Sequence, residues 1–484
     1  MPATLTAELS TPPQQSLWRV PDVPWVVAGR GLVTAASRML MVALMLWVEA
    51  SPHGAVGLAA VMLAVALPAL FFMGTAGEVA DQHDSRHVLS VGVLVQVLGA
   101  LGVTAAVAWA PASIALPLVI VLAFVYQAGA TFNAPVWEAL VPRIVGEDRV
   151  GAVASWQQGI ASVAGPLGAA LGGVLVGWTS GTVALGVTAA LAALVLVPAL
   201  SVRTRRGGPA DALLRDAREE ARRKAAEAAP WARFWRRTPF GQVSRSIAAV
   251  RSVPTAAVIV TVMVSFMIAQ GASNVIEVFL VRGPLGASEA QYGASEAFAA
   301  VGGVVGAWMT ARILAPSQRV WAFVAGLVTG GVALLWIGLA PNFWFYVVGQ
   351  VALGVMQALV VASAITVTVS STPDERRGAV MAGLGGLTRL GTVGALGVGA
   401  VIGSVMDPRP AFLVLGAAAL VLLVVSGWRL PGIARALAAE EQEAERAGGT
   451  PPVEADPIGQ PQPAVGGGPA GRHAAAEPAR SVTP

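Results

Sequence analysis

The chain contains no cysteine among its 484 residues. Disulfides, thiolate metal sites and thiol nucleophiles are therefore excluded. Histidine is almost as scarce, with His53, His83, His87 and His473 as the whole complement. No metal-ligand set, phosphate loop or Ser-His-Asp arrangement forms around them, so neither an enzyme nor a bound cofactor is expected. Charged side chains make up only 12% of the chain, against about 25% in a soluble domain. What is abundant is apolar: 55% of residues are hydrophobic and mean hydropathy is +0.69. Uncharged runs of about 20 residues recur, each long enough to cross a hydrocarbon layer as a helix. Glycine and alanine within them suit close helix packing in lipid. The composition describes a polytopic all-α membrane protein.

Twelve spans are expected, at 24–49, 55–77, 88–109, 113–137, 152–178, 181–202, 254–281, 290–313, 319–340, 342–369, 379–405 and 410–430. Tryptophans such as Trp25, Trp47, Trp109, Trp178 and Trp344 sit near the proposed ends, where indole favours the headgroup boundary. Arginine sets the orientation. Arg86, Arg143, Arg149, Arg312, Arg319, Arg376 and Arg377 lie in connections on one side, whereas the other side holds Arg282 and Arg409. By the positive-inside rule both termini are cytoplasmic, in a cell (inner or plasma) membrane. The N-terminus is polar to about Pro24 and has no short apolar core with a cleavage site, so the first span is expected to be retained.

The domains follow: a cytoplasmic segment 1–23, a six-helix bundle 24–202, a basic linker 203–253, a second bundle 254–430 and a largely disordered tail 431–484. The net charge of +4 and pI near 10.2 do not point to nucleic acid, because the basic residues sit in connections. The linker carries thirteen basic and five acidic side chains. Its "DALLRDAREEARRKAAEAA" reads as a surface helix, either plainly solvated or lying on anionic lipid. The halves repeat. "EDRVGAVAS" at 147–155 and "DERRGAVMA" at 374–382 align without gaps just before spans five and eleven, as a duplicated six-span unit requires.

One charged cluster, "GEVADQHDSRH" at 77–87, interrupts two long apolar runs. With "NAPVWEALVPRIVGEDRVGAVAS", "GPLGAALGG", "SEAQYGASEAFAAVGGVVGA" and "STPDERRGAVMAG", it resembles the major facilitator superfamily, from about Trp25 to Leu430. More narrowly the set looks like the enterobactin-exporter-like and macrolide-efflux-like branch. The resemblance implies two pseudo-symmetric six-helix bundles and export of a drug, antibiotic, siderophore or other natural product against proton entry. It also implies that Gly77, Asp81 and Arg86 form a gating motif, with Asp81 near the start of span eleven and Gly77 permitting close helix approach. This chain departs from the signature at Gln82 and Asp84, where His83 and His87 could partly stand in. It also lacks an arginine in span four, "LAFVYQAGATFNAP", which puts one common proton-coupling arrangement in doubt. "GIASVAGPLGAALGG" in span five resembles the exporters' glycine-proline motif, carried by Gly165, Pro166, Gly168 and Gly172.

Ionisable groups at membrane depth are costly and so are functional candidates. Glu296 in span eight and Glu277 in span seven are the proton-coupling candidates; Glu277 could instead pair with Arg282 at the rim. Glu49 and Glu138 lie nearer interfaces and are expected to be solvated. Arg38 and Arg389 cannot release a proton. Each could bind an anionic group, hold a carboxylate ionised, or brace helices. With Gln127, Gln270, Asn274 and Gln357 they are the substrate-cavity candidates, and Gln350 is a further hydrogen-bonding group. A small-molecule substrate, protons and the bilayer are the expected partners of a monomer. The rival readings are an uptake transporter of the same fold and a non-transporting receptor or scaffold.

Overall fold

The computed structural model describes residues 16–205, 239–313 and 315–446. Within them the chain forms fifteen α-helices. The first bundle is α1 (Val23–Glu49), α2 (Gly54–Gln82), α3 (Ser85–Trp109), α4 (Ala112–Val145), α5 (Val150–Trp178) and α6 (Gly181–Leu194), the last continued by the short α7 (Leu196–Ser201). After α8 (Pro239–Arg251), the second comprises α9 (Pro254–Arg282), α10 (Glu289–Ala311), α11 (Pro316–Gly338), α12 (Phe343–Ser370), α13 (Asp374–Val405) and α14 (Pro408–Gly427), followed by α15 (Leu430–Arg446). At 27 residues and about 1.5 Å each, α1 is about 40 Å long, enough for a bilayer with its headgroups. Eleven helices pass a test of length and hydropathy for a membrane span. The twelfth, α10, falls short because Glu289, Gln291 and Glu296 dilute its apolar surface, yet it packs along both α5 and α12.

Local chemistry fixes where the helices begin. Asp84 caps α3 by accepting from the Arg86 and His87 amides at 2.8 and 3.4 Å. Ser180 caps α6, Ser288 and Gln291 form a reciprocal capping box on α10, and Asn342 caps α12. Such oxygens satisfy amides that the first helical turn leaves without partners. Asp84 thus performs at the α2–α3 turn the work the sequence suggested for His83 and His87.

The two bundles meet along two seams, α5 against α10 and α2 against α13. These are equivalent pairs under a two-fold relation, and the repeated motifs at 147–155 and 374–382 lie at the starts of α5 and α13. Residues 203–205 and α8 mark what we call the linker face; the opposite end of each span is the far face. At the linker face Asp22, 5% exposed, precedes α1 and accepts from the Arg203 and Thr204 amides at 3.0 and 2.8 Å and the Thr204 hydroxyl at 2.6 Å. Burial pushes the Asp22 carboxyl up, but those hydrogen bonds outweigh it and hold it below the usual aspartate range.

Three expectations are revised. Residues 239–251 of the linker form α8, which packs on α13 beside Gly383 and Gly386. The tail is helical to Arg446, because Leu430, Ile433, Ala434 and Leu437 form one apolar stripe against the second bundle. Glu441 of that helix accepts from the Ser317 amide at 2.9 Å and hydroxyl at 2.6 Å, capping α11 where Ala315 offers no side-chain acceptor. Thirdly, α2 and α4 run on to Gln82 and Val145, past the apolar stretches that marked their spans. The proposed surface helix of the linker and the tail beyond Arg446 lie outside the described residues.

Candidate functional site

Between the bundles, near the middle of the spans, Arg38 of α1 meets Glu296 of α10, with Nη1 3.5 Å from Oε1. The side chains are 55% and 43% exposed, so the pair faces open space and not a dry core. Two residues flagged separately, 258 positions apart, therefore form an ion pair that bridges the two halves of the protein.

On the far side of this pair the bundles are sealed. Tyr292, one turn from Glu296, donates to the Met45 sulfur at 3.1 Å, and both residues are buried. Gly173 of α5 and Gly293 of α10 lie so close that a β-carbon on one would meet the other's backbone at 2.8 Å, and the reverse at 2.9 Å. At the far ends Arg282 of α9 contacts Glu289 of α10 at 2.5 Å and Glu49 of α1 at 3.6 Å, and donates to the Ala287 carbonyl. Glu49 is therefore no solvated rim residue: it supplies the charge that crosses between bundles. A further close approach, Gly403 of α13 on Ala55 of α2, closes the second seam on the same face.

Glu277 does not reach Arg282. Its carboxylate accepts hydrogen bonds from the Tyr346 hydroxyl and, at 2.6 Å, from Gln350 Nε2. Tyr346 and Gln350 are one turn apart on α12, so they present neighbouring donors to one carboxylate. Tyr346 carries no charge and gave no signal in the sequence reading. Ser295 of α10 lies beside it, one residue from Glu296.

Toward the linker face the seams part. A cavity of about 490 Å³ separates α2 from α13 and α8, with Leu70, Gly74, Arg245, Gly386 and Arg389 among its walls. The side of Gly77 is open space, so the close approach expected there is not made in this conformation. Asp81 is exposed at the end of α2. The Arg86 guanidinium has no carboxylate partner among the described residues. A second cavity, of about 340 Å³, penetrates the first bundle and is lined by Arg30, Gln96, Asn133, Trp137, Glu138 and Gln157. Glu138 and Arg389 interact electrostatically across the space between bundles. Of the other cavity candidates, Gln127, Gln270, Asn274 and Gln357 line neither cavity.

The glycines of α5 have distinct tasks. Gly168 abuts the Ala35 backbone of α1 and Gly172 that of Met39, while Gly165 rests against Thr34 and Arg38 in ordinary contact. Pro166 lies within the helix beside them. Among the described residues, no cluster of three or more His, Asp or Glu side chains is placed to hold a metal ion.

The sequence matches a family model, the Major Facilitator Superfamily, over residues 26–317 and again over 258–473. No curated protein matches it. Solved structures share the fold. A mutant peptide transporter, POT, in complex with alafosfalin has TM-score 0.61 and 17% identity, over 87% of this chain and 97% of that one. A nucleoside transporter, NupG, also gives 0.61 with 11% identity, over 84% and 98%. A bacterial homologue of the iron transporter ferroportin, in an inward-facing state, gives 0.59 with 15% identity, over 87% and 100%.

Proposed function

Because the chain belongs to the major facilitator superfamily, whose members are multi-pass membrane transporters, we propose that it is a secondary exporter of small amphipathic molecules, driven by proton antiport through alternating access. The Arg38–Glu296 ion pair carries this reading. It joins the bundles directly beneath the far-side seal and above the linker-side cavities, where a substrate entering from the linker face would arrive. By the distribution of arginine that face is cytoplasmic, both termini with it, in the cell membrane. The conformation is then inward-facing. The glycine-rich α5 and the resemblance to efflux proteins support the outward direction, and a single chain contains the whole path.

The coupling follows from charge. A substrate donor group that engages the Glu296 carboxylate favours its ionised form, so the proton leaves toward the linker face. Once the far seal opens, a proton arriving on Glu296 cancels its charge, releases Arg38 from it and weakens the hold on the substrate. The empty carrier returns protonated. An anionic group seated on Arg38 itself would do the reverse, favouring protonated Glu296 and carrying proton and substrate together. Antiport therefore needs a substrate whose donor groups, and not its acid, reach this pair. Asp81 belongs to the gate that closes α2 against α13 when the linker face shuts.

Accumulation of dyes and antibiotics in an efflux-deficient bacterial host tests this. Wild type lowers accumulation, a protonophore abolishes the effect, and Glu296→Gln and Asp81→Asn impair it at equal expression. Raised accumulation in the wild type would replace export by uptake. No difference for any compound, with both variants silent, would remove the transport reading.

A further inference from the structure

The cavity inside the first bundle brings a guanidinium and a buried indole N–H into one lining. Arg30 stands two helical turns from Arg38 on the same face of α1, since residues 30, 34 and 38 are four apart. Its guanidinium offers five N–H groups. Among the described residues it has neither an ion-pair nor a hydrogen-bond partner. Trp137, 9% exposed on the same wall, has a buried indole N–H with no acceptor. The Gln96 and Asn133 carboxamides lie against each other, both buried. Glu138 lines the cavity too, but its charge acts on Arg389 across the gap and not on Arg30 in an ion pair.

The Trp137 N–H, withdrawn from water without an acceptor, is a standing cost relieved when a ligand supplies an acceptor oxygen. Arg30 is exposed, and its donors stay hydrated until a ligand replaces that water. A planar guanidinium and an N–H donor in one cavity lining suit an oxyanion, which can take two parallel bonds from an arginine and one from an indole. The remaining wall is mixed, with Val33, Ala130, Ala134 and Ala154 apolar and Gln157 and Gln158 polar. At about 340 Å³ the cavity lies within the range of small-molecule pockets.

We propose that this cavity is an acid-binding subsite of the transport path, seating the carboxylate of a small amphipathic acid on Arg30 and Trp137. The inference rests on the transport reading above and refines it. Eight residues of helix separate Arg30 from Arg38 by about 12 Å along the axis, too far for a single carboxylate to contact both. A carboxylate held at Arg30 leaves Arg38 to Glu296, while the rest of the molecule reaches toward that pair with its donor groups. The substrates are thus acids with a hydrogen-bond donor at some distance, and not lipophilic cations.

Equilibrium dialysis tests this, using the full-length protein in lipid nanodiscs with N-(2-naphthoyl)glycine and its methyl ester as probes. The acid binds at least tenfold more tightly than the ester. Arg30→Gln abolishes that preference, and Trp137→Phe, which keeps the ring and removes the N–H, weakens the acid severalfold without affecting the ester. Equal binding of acid and ester, binding of neither, or a preference that survives in both variants overturns the proposal. Binding needs no transport. A protein that prefers the acid yet changes no accumulation in cells refutes export and leaves the subsite standing; export of cationic dyes with no acid preference does the opposite.

Discussion

Replacing Glu49 with glutamine should tilt the protein toward the conformation open at the far face. The Glu49–Arg282 contact, at 3.6 Å between side chains each 22% exposed, is the charged interaction on that face that crosses between bundles. Arg282 and Glu289 both belong to the second bundle and stay together in either state. At an effective dielectric constant of about 20, charges at this separation attract by about 4 to 5 kcal/mol before desolvation. Desolvation and the ordering of two side chains leave a net of about 1 kcal/mol for a partly exposed pair. That corresponds to roughly a fivefold change in the ratio of far-closed to far-open molecules. With no cysteine to remove, spin labels can be placed at Pro52→Cys and Pro284→Cys, both exposed positions near the far face. Electron double resonance in nanodiscs should show the longer distance gaining population about fivefold in Glu49→Gln. Glu289→Gln, which removes a stronger contact within one bundle, should leave the ratio nearly unchanged. If Glu289→Gln shifts the distances as much as Glu49→Gln, or neither does, the seal does not depend on the crossing charge.

Other expectations are sharp enough to check. Gly173→Val should widen the far seam, since its side chain would enter the backbone of α10; the same labels should report a far-open population and transport should fall. Gly168→Leu collides instead with Ala35 inside the first bundle, so it should lower thermal stability, at about 1–3 kcal/mol for overpacking, without favouring either state. Asp22→Asn should destabilise the linker face at neutral pH by about 1–3 kcal/mol, the scale of hydrogen bonds to a charged group. Because the Asp22 carboxyl is held below its ordinary range, its stabilisation is complete above the unfolded value, near 4. It is lost as pH falls through the lower folded value, and the variant and wild type should converge there in thermal melts. Glu441→Gln should release α15 from Ser317, measured as faster amide exchange at the start of α11 and in α15.

Lipid made much of the fold legible. A span needs about 20 apolar residues, so eleven of the twelve spans stand out by hydropathy, and the repeated motif set the division into halves that calls for the twelfth. Helix ends were less legible, because α2 and α4 continue past the hydrocarbon as ordinary polar helices to Gln82 and Val145. The first part of the tail, to Arg446, was misjudged by composition, although Leu430, Ile433, Ala434 and Leu437 already carried a helical period. Arg38 and Glu296 were visible singly as charges at depth. Their pairing was not, since it arises only when α1 and α10 meet across the seam. Glu277 shows how proximity along the chain misleads: five helical steps turn about 140°, so Glu277 and Arg282 point to different neighbours. Glu277 found Tyr346 and Gln350 on α12, and a tyrosine in an apolar run advertises nothing until a carboxylate faces it.

The clasp at Asp22 and the docking of α8 on α13 have a mechanical consequence. One end of the central connection is moored to the first bundle at Thr204, and the other to the second at α8. Between Arg205 and Pro239 lie 33 residues, and a chain of that many residues can reach up to about 110 Å when fully extended, more than twice the length of any span. A rocking motion smaller than that reach is not limited by the number of residues in the connection. The stops of the motion are then the glycine seams and the ion pairs, and cutting this connection should leave two pieces that still find each other and still work.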